Sequence, residues 1–256
     1  MNRISAFTSR NIKELLRDPL SYIFCLGFPI LMLIIMSVVN ASIPPESGMT
    51  VFRIDNLSGG IAMFGQTFIM LFTALTVSKD RSGSFLVRMY ASPMTSADFT
   101  GGYILPMLLI ALAQAVITFA ASFVISLITG VSLSPAGMLL SLLTLIPSAV
   151  LFIGFGLLFG TLFNDKAAPG LCSIIISLGS FLGNVFFDAD HTGGIMLTIC
   201  RCTPFYYCTK TARSAVALDF SVENFIFPLL IVFFSAVIIT LISVLVFKAK
   251  MRADLS

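Results

Sequence analysis

Six stretches of this chain, 21–39, 60–78, 103–129, 137–163, 168–187 and 225–247, run without one Asp, Glu, Lys or Arg. Each is close to the about 20 apolar residues that a helix needs to cross a bilayer. A water-soluble fold of 256 residues has no core large enough to hide them: 57% of the chain is hydrophobic and 11% charged, with a mean hydropathy of +1.02. Soluble domains carry about 25% charged residues. The fold class that follows is an all-α integral membrane protein with six transmembrane helices. The first stretch is too long for a secretory leader and lacks a small-residue cleavage pattern, so targeting is expected from that span itself.

Cations set the orientation. With the N-terminus inside, the inner segments hold eleven Lys and Arg: Arg3, Arg10, Lys13, Arg17, Lys79, Arg81, Arg88, Lys166, Lys248, Lys250 and Arg252. The outer segments hold four, Arg53, Arg201, Lys210 and Arg213, while acids divide six and six. The positive-inside rule therefore puts both termini in the cytoplasm.

Residues 1–19 precede the first span. On a helical wheel Arg3, Arg10, Lys13 and Arg17 fall within an arc of about 80°. Ile4, Phe7, Ile12, Leu15 and Leu16 take the opposite half. Such a helix suits the inner headgroup layer, with its cations toward anionic lipid; a plain basic flank is the simpler alternative. Asp18-Pro19 breaks it and turns the chain into the membrane.

The segment 79–102 is more than a turn. Lys79-Asp80-Arg81 closes the second span, and Gly83 opens a bend. Phe85, Leu86, Arg88, Met89 and Tyr90 read as a short helix that Ser92-Pro93 stops. Thr95 and Asp98 form a capping box for the next helix. The short helix either plugs a partner's groove or lies on lipid; the residues leave both open.

Polar residues inside spans are few. Gln66, Gln114 and Asn184 read as interhelical hydrogen-bonding groups before substrate ligands. Gly154, Gly156 and Gly160 allow close helix approach, within the chain or at a dimer seam. Pro29, Pro106 and Pro147 are expected to kink their spans. Asp165 and Lys166 suit a cap or local pair at a span end. The connection 188–224 is too long for a turn, and its apolar pieces at 195–200 and 214–218 are too short to cross, so it is expected to lie on or dip into the outer leaflet. Cys200, Cys202 and Cys208 permit one disulfide without requiring it; His191 reads as a solvated loop residue.

No G-x-x-x-x-G-K-[ST] loop is present, so the chain has nothing built to cradle ATP. It reads as a non-enzyme with no cofactor or metal of its own. Span interiors free of charge argue against a stand-alone channel or secondary carrier, the main alternative. A membrane-bound assembly scaffold would leave the 79–102 segment dispensable.

Several features, in order, resemble one family. They are the amphipathic start with Arg17-Asp18-Pro19, Pro29 within the first span, the Gly83-Ser84 to Ser92-Pro93 elbow, six spans, and Thr203-Pro204-Phe205-Tyr206-Tyr207 in the last outer connection. Together they are similar to the permease subunit of type-2 ABC exporters, the bacterial drug, lipid and polysaccharide class. The chain departs in having Asp80 where a Glu is common and Gly102-Tyr103 where Gly-Lys is common. The resemblance implies a single permease domain over 1–256 in the bacterial inner membrane. It implies a homodimeric path for a drug- or lipid-like substrate, and a separate ATP-binding-cassette subunit carrying ATP and Mg. It makes the 83–90 helix, with Gly83, Phe85, Leu86, Arg88, Met89 and Tyr90, the coupling helix. The outer segment would cap the exit. Lipid and a second copy are the other implied partners; nucleic acid is not one.

Overall fold

The computed structural model describes residues 3–44, 46, 48–83 and 95–253. The described residues are mostly helical, with no strand among them. Helix α1 (Arg3–Leu15) leads into α2 (Pro19–Ser42), α3 (Ile54–Ser82), α4 (Ser96–Thr129), α5 (Pro135–Leu162) and α6 (Ala168–Leu182). Three short helices follow, α7 (Ala189–Thr192), α8 (Gly194–Arg201) and α9 (Pro204–Val216). The last is α10, a π turn at Val222–Ile226 running into Phe227–Ala253.

Local chemistry sets most boundaries. The Asp18 carboxylate accepts from the Leu20 N–H and the Ser21 hydroxyl, and Pro19 sits at the first helical position, where a missing N–H costs nothing. Ser134 and Pro135 start α5 in the same way. The Thr95–Asp98 capping box forms as its spacing predicts. Gly130, left-handed at φ 72°, ends α4. Both Phe-Pro steps, at Pro29 and Pro228, follow a π turn: Ile23–Gly27 and Val222–Ile226. Proline clashes with the carbonyl four residues back, and one wider turn absorbs that clash.

Among the described residues, five helices are long and apolar enough to cross a bilayer. The expected fifth crossing, 168–187, is shorter as a helix: α6 has 15 residues, about 22 Å at 1.5 Å per residue. It stops because Asn184 turns to φ 58°, with the Val185 N–H closing back on the Ser180 carbonyl.

Helix α3 is the hub. Of its most apolar 18 residues 83% are buried, against 17% for α2 and for α10. Helices α2, α4, α5, α6 and α9 pack around it, and α10 packs on α5. The outer helices keep large apolar side chains such as Val38, Phe234 and Leu245 exposed, as lipid-facing surfaces do. The glycines of α5 serve packing within the chain. A Cβ on Gly156 would stand 2.5 Å from the Met70 carbonyl oxygen, and one on Gly160 2.7 Å from that of Ala74. Only bare backbone lets α5 and α3 approach so closely.

One end of the bundle, here the elbow end, gathers α1, the end of α3, the start of α4 and the end of α5. The other, the loop end, holds 48–53, 130–134 and α7 to α9.

Candidate functional site

At the elbow end α1 is not a free-floating flank. Phe7, Asn11 and Leu15, four residues apart, form a buried stripe. Phe7 wedges edge-on between Phe99, at 5.6 Å, and Tyr103, at 5.0 Å. Gly102 makes the seat: a Cβ there would lie 2.2 Å from Phe7 Cδ1. The Asn11 amide donates to the Gly102 carbonyl at 2.9 Å, which explains a buried amide in an apolar stripe.

The charged face of α1 closes on α3. Arg10 grips Asp80 with two parallel bonds, 2.6 and 2.8 Å, and Tyr103 donates its hydroxyl to the same carboxylate at 2.8 Å. Fork-to-carboxylate pairing is the strong form of a charged hydrogen bond. The hydrogen bonds it donates to Asp80 also push the Arg10 pKa further up, so the guanidinium stays charged. Arg10 also meets Glu14 at 2.7 Å, with Lys79 at 3.9 Å from the same side chain. Arg81 donates to the Thr161 carbonyl of α5, and Phe99 meets Phe247 of α10 at 6.0 Å. Helices α1, α3, α4, α5 and α10 are thereby tied at one level.

This clamp brackets the elbow. The chain leaves α3 at Gly83, extended at φ −78°, ψ 154°, its N–H bound to the Lys79 carbonyl. It re-enters at Thr95. Phe85, Leu86, Arg88, Met89 and Tyr90 lie outside the described residues. Of the cations singled out on α1, Arg10 faces Asp80, Lys13 and Arg17 are exposed, and Arg3 sits in the first turn. Sequence reasoning passed over Phe7, Asn11, Asp80 and Tyr103 as site residues. Asn11, an amide between Phe7 and Ile4 on the apolar arc, is the sequence signal that this face meets protein. In the turn between α5 and α6 the Asn164 side chain accepts from the Ala167 N–H; Asp165 and Lys166 are exposed beside it, cap neither helix and make no ion pair among the described residues.

At the loop end, α9 is buried along most of its length. Phe205 stacks on Phe152 at 5.7 Å, and Ser141 donates to the Ala212 carbonyl. Arg213 donates to the Asn56 carbonyl at the start of α3. Asn184 staples the turn after α6, accepting from the Ala189 N–H and donating to Asp190. Cys200, Cys202 and Cys208 are free thiols, and His191 is exposed. Along α3 a row of rings runs from Phe72 through Phe24, Phe68, Phe28 and Phe64 to Phe186, each step between 5.1 and 6.4 Å.

A family model described as ABC-2 type transporter matches residues 2–217. No curated protein matches the chain.

Proposed function

Since the chain belongs to the ABC-2 type transporter family, we propose that it is the membrane-spanning permease subunit of an ATP-driven exporter. Two copies form the path, and a separate ATP-binding-cassette subunit supplies ATP hydrolysis and holds the Mg. The elbow end faces the cytoplasm, in keeping with the Lys and Arg bias. The 83–90 helix seats in the ATPase and transmits its closure to the spans. The cargo is amphipathic, drug- or lipid-like, and the α7 to α9 segment caps its exit.

One observation carries the coupling step: the Arg10–Asp80–Tyr103 clamp, with Asn11 on Gly102, ties α1 to both arms of the elbow. A force on a loose loop is lost in the loop. A force on an elbow whose two arms are pinned to each other and to α1 displaces α3 and α4 together. Helix α3 is the hub of the bundle, so its displacement reaches the other spans.

The test is a Phe85→Ala, Arg88→Ala double variant, produced with the ATPase with which the wild-type chain co-purifies. Membrane insertion is expected to be normal and transport to be lost while the ATPase still binds nucleotide. Full transport by that variant, or transport in liposomes by the wild-type chain alone, overturns the proposal.

A further inference from the structure

Beside the clamp, the end of α1, the inner part of α3 and the α5–α6 connection enclose an open cleft of about 670 Å³. Its floor is apolar, from Leu15, Phe72 and Leu75; its rim is charged, from Glu14, Arg17, Asp18, Lys79 and Asp165. The rim charges are not equally free. Glu14 is held by Arg10 at 2.7 Å. Asp18 has both oxygens engaged at the start of α2, with Leu20 N–H and Ser21 hydroxyl. Arg17 and Asp165 are exposed, and Lys79, its side chain 77% exposed, stands 3.9 Å from Glu14. Arg17 and Asp165, and Lys79 at the outer limit of its reach to Glu14, are thus the rim charges open to a ligand.

From this we infer that the cleft binds a phosphoethanolamine lipid of the inner leaflet. Arg17 and Lys79 take the phosphate, where two cations meet one diester anion. Asp165 takes the ammonium, which donates hydrogen bonds that a quaternary choline cannot. One acyl chain follows Phe72 and Leu75 to Phe24, which is 39% exposed and lies 6.4 Å from Phe72 in the ring row along α3. A purely anionic lipid leaves Asp165 facing its headgroup with like charge. A cationic amphiphile leaves Arg17 and Lys79 doing the same. Only a zwitterion with the phosphate nearer the glycerol satisfies all three. That a lipid held here is cargo rests on the exporter reading; that the cleft selects this headgroup does not.

The test uses the purified full chain in detergent and counts bound lipid by native mass spectrometry. The probes are lysophosphatidylethanolamine, lysophosphatidylcholine and lysophosphatidylglycerol of one acyl length, and acyl-free glycerophosphoethanolamine. Half-occupancy is expected at about tenfold lower concentration for the ethanolamine lipid than for the other two lipids. The acyl-free compound is expected to bind weakest. Asp165→Asn is expected to erase the preference for ethanolamine over choline, and Arg17→Gln, Lys79→Gln to weaken all three lipids. Equal binding of the three headgroups, tighter binding of phosphatidylglycerol, or an unchanged preference in Asp165→Asn overturns the headgroup assignment. Acyl-free binding as tight as the lipid's overturns the membrane source. None of these readouts needs ATP or a second subunit, so they fail independently of the Phe85, Arg88 transport test.

Discussion

Arg10 and Asp80 stand 70 residues apart in sequence, and their side chains meet at 2.6 Å. The carboxylate is 5% exposed and the guanidinium 32%, so the pair is a shielded anion met by a cation that still sees solvent. The two ends therefore differ in what their loss costs. Arg10→Met leaves Asp80 charged in a closed site, and breaking a buried pair in this way costs about 3 kcal/mol. Asp80→Asn leaves Arg10 able to turn toward water, and the loss falls to roughly 1.5 kcal/mol. The double variant is expected to be less destabilised than the sum of the two. Thermal unfolding in detergent, followed by a thiol-reactive dye that reports exposure of the buried Cys25, Cys172 and Cys208, gives the three values. Additive losses would mean that the two side chains do not act as a pair.

Gly102 gives a sharper test of the same joint. A methyl group there lands 2.2 Å from Phe7 Cδ1, and the Phe7 ring is held on both sides by Phe99 and Tyr103. Gly102→Ala is expected to cost about 1–3 kcal/mol by overpacking. It should cost much less in a Phe7→Ala background, where the obstacle is gone. Gly101→Ala is the control, since its nearest neighbour, Ile4 Cγ2, is 3.9 Å away. That change should be neutral, or stabilising by about 0.5–1 kcal/mol from helix propensity. Equal losses at 101 and 102 would place the effect in the α4 backbone rather than in the seat of α1.

Much of the architecture is written locally and is therefore legible. Spans, the Thr95–Asp98 box and the Ser134-Pro135 start depend on neighbours within a few residues. The clamp depends on contacts 70 and 91 positions apart, and no periodicity reveals such partners. The amphipathic wheel of α1 separated its cations from its apolar side. Asn11 apart, it did not say that this face turns to protein, because lipid and protein both select side chains such as Phe7 and Leu15. The early end of α6 was hidden for another reason. Residues 183–187 are apolar enough to continue a span, and only the left-handed turn at Asn184, fixed by Ala189 and Asp190, stops it. Between α5 and α6 it is Asn164, one position before Asp165, whose side chain holds the turn, a difference within the usual uncertainty of helix ends.

Asp219, in the turn between α9 and α10, gives a pH prediction. Its carboxylate accepts from the Ser221 N–H at 3.0 Å and the Asn224 amide at 2.8 Å. Those bonds, the Ser221 backbone first, hold its pKa below the ordinary carboxylate value. A depressed folded pKa means stabilisation that is complete above the unfolded value and lost as pH falls through the folded one. The 218–226 turn should therefore keep its protection from hydrogen exchange at pH 5 to 7 and lose it only below the usual carboxylate range. Asp219→Asn should lower protection at neutral pH and make it nearly independent of acid. Loss of protection already near pH 5 would mean that a different group governs the turn.

Gln66 and Gln114 look alike in sequence and do different things. Gln66 bridges two helices: its amide donates to the Leu145 carbonyl at 3.1 Å, and its oxygen accepts from Ser148 at 2.6 Å. Both partners flank Pro147, which lies inside α5, so the bridge ties α3 to α5 beside the turn where the proline lacks an N–H. Gln114 bonds Thr118 on its own helix, and its buried oxygen has no partner among the described residues. Gln66→Met should lower stability by about 1 kcal/mol, the usual size of an interhelical bond in a membrane protein. Gln114→Met keeps the volume and removes an unsatisfied acceptor, which by itself costs about 1–3 kcal/mol, so its unfolding midpoint should hold or rise. A fall at Gln114 as large as that at Gln66 would show that the free oxygen binds something essential, such as an ordered water between α4 and α3. The outcome separates a residue that fastens the bundle from one whose polarity is held in reserve inside it.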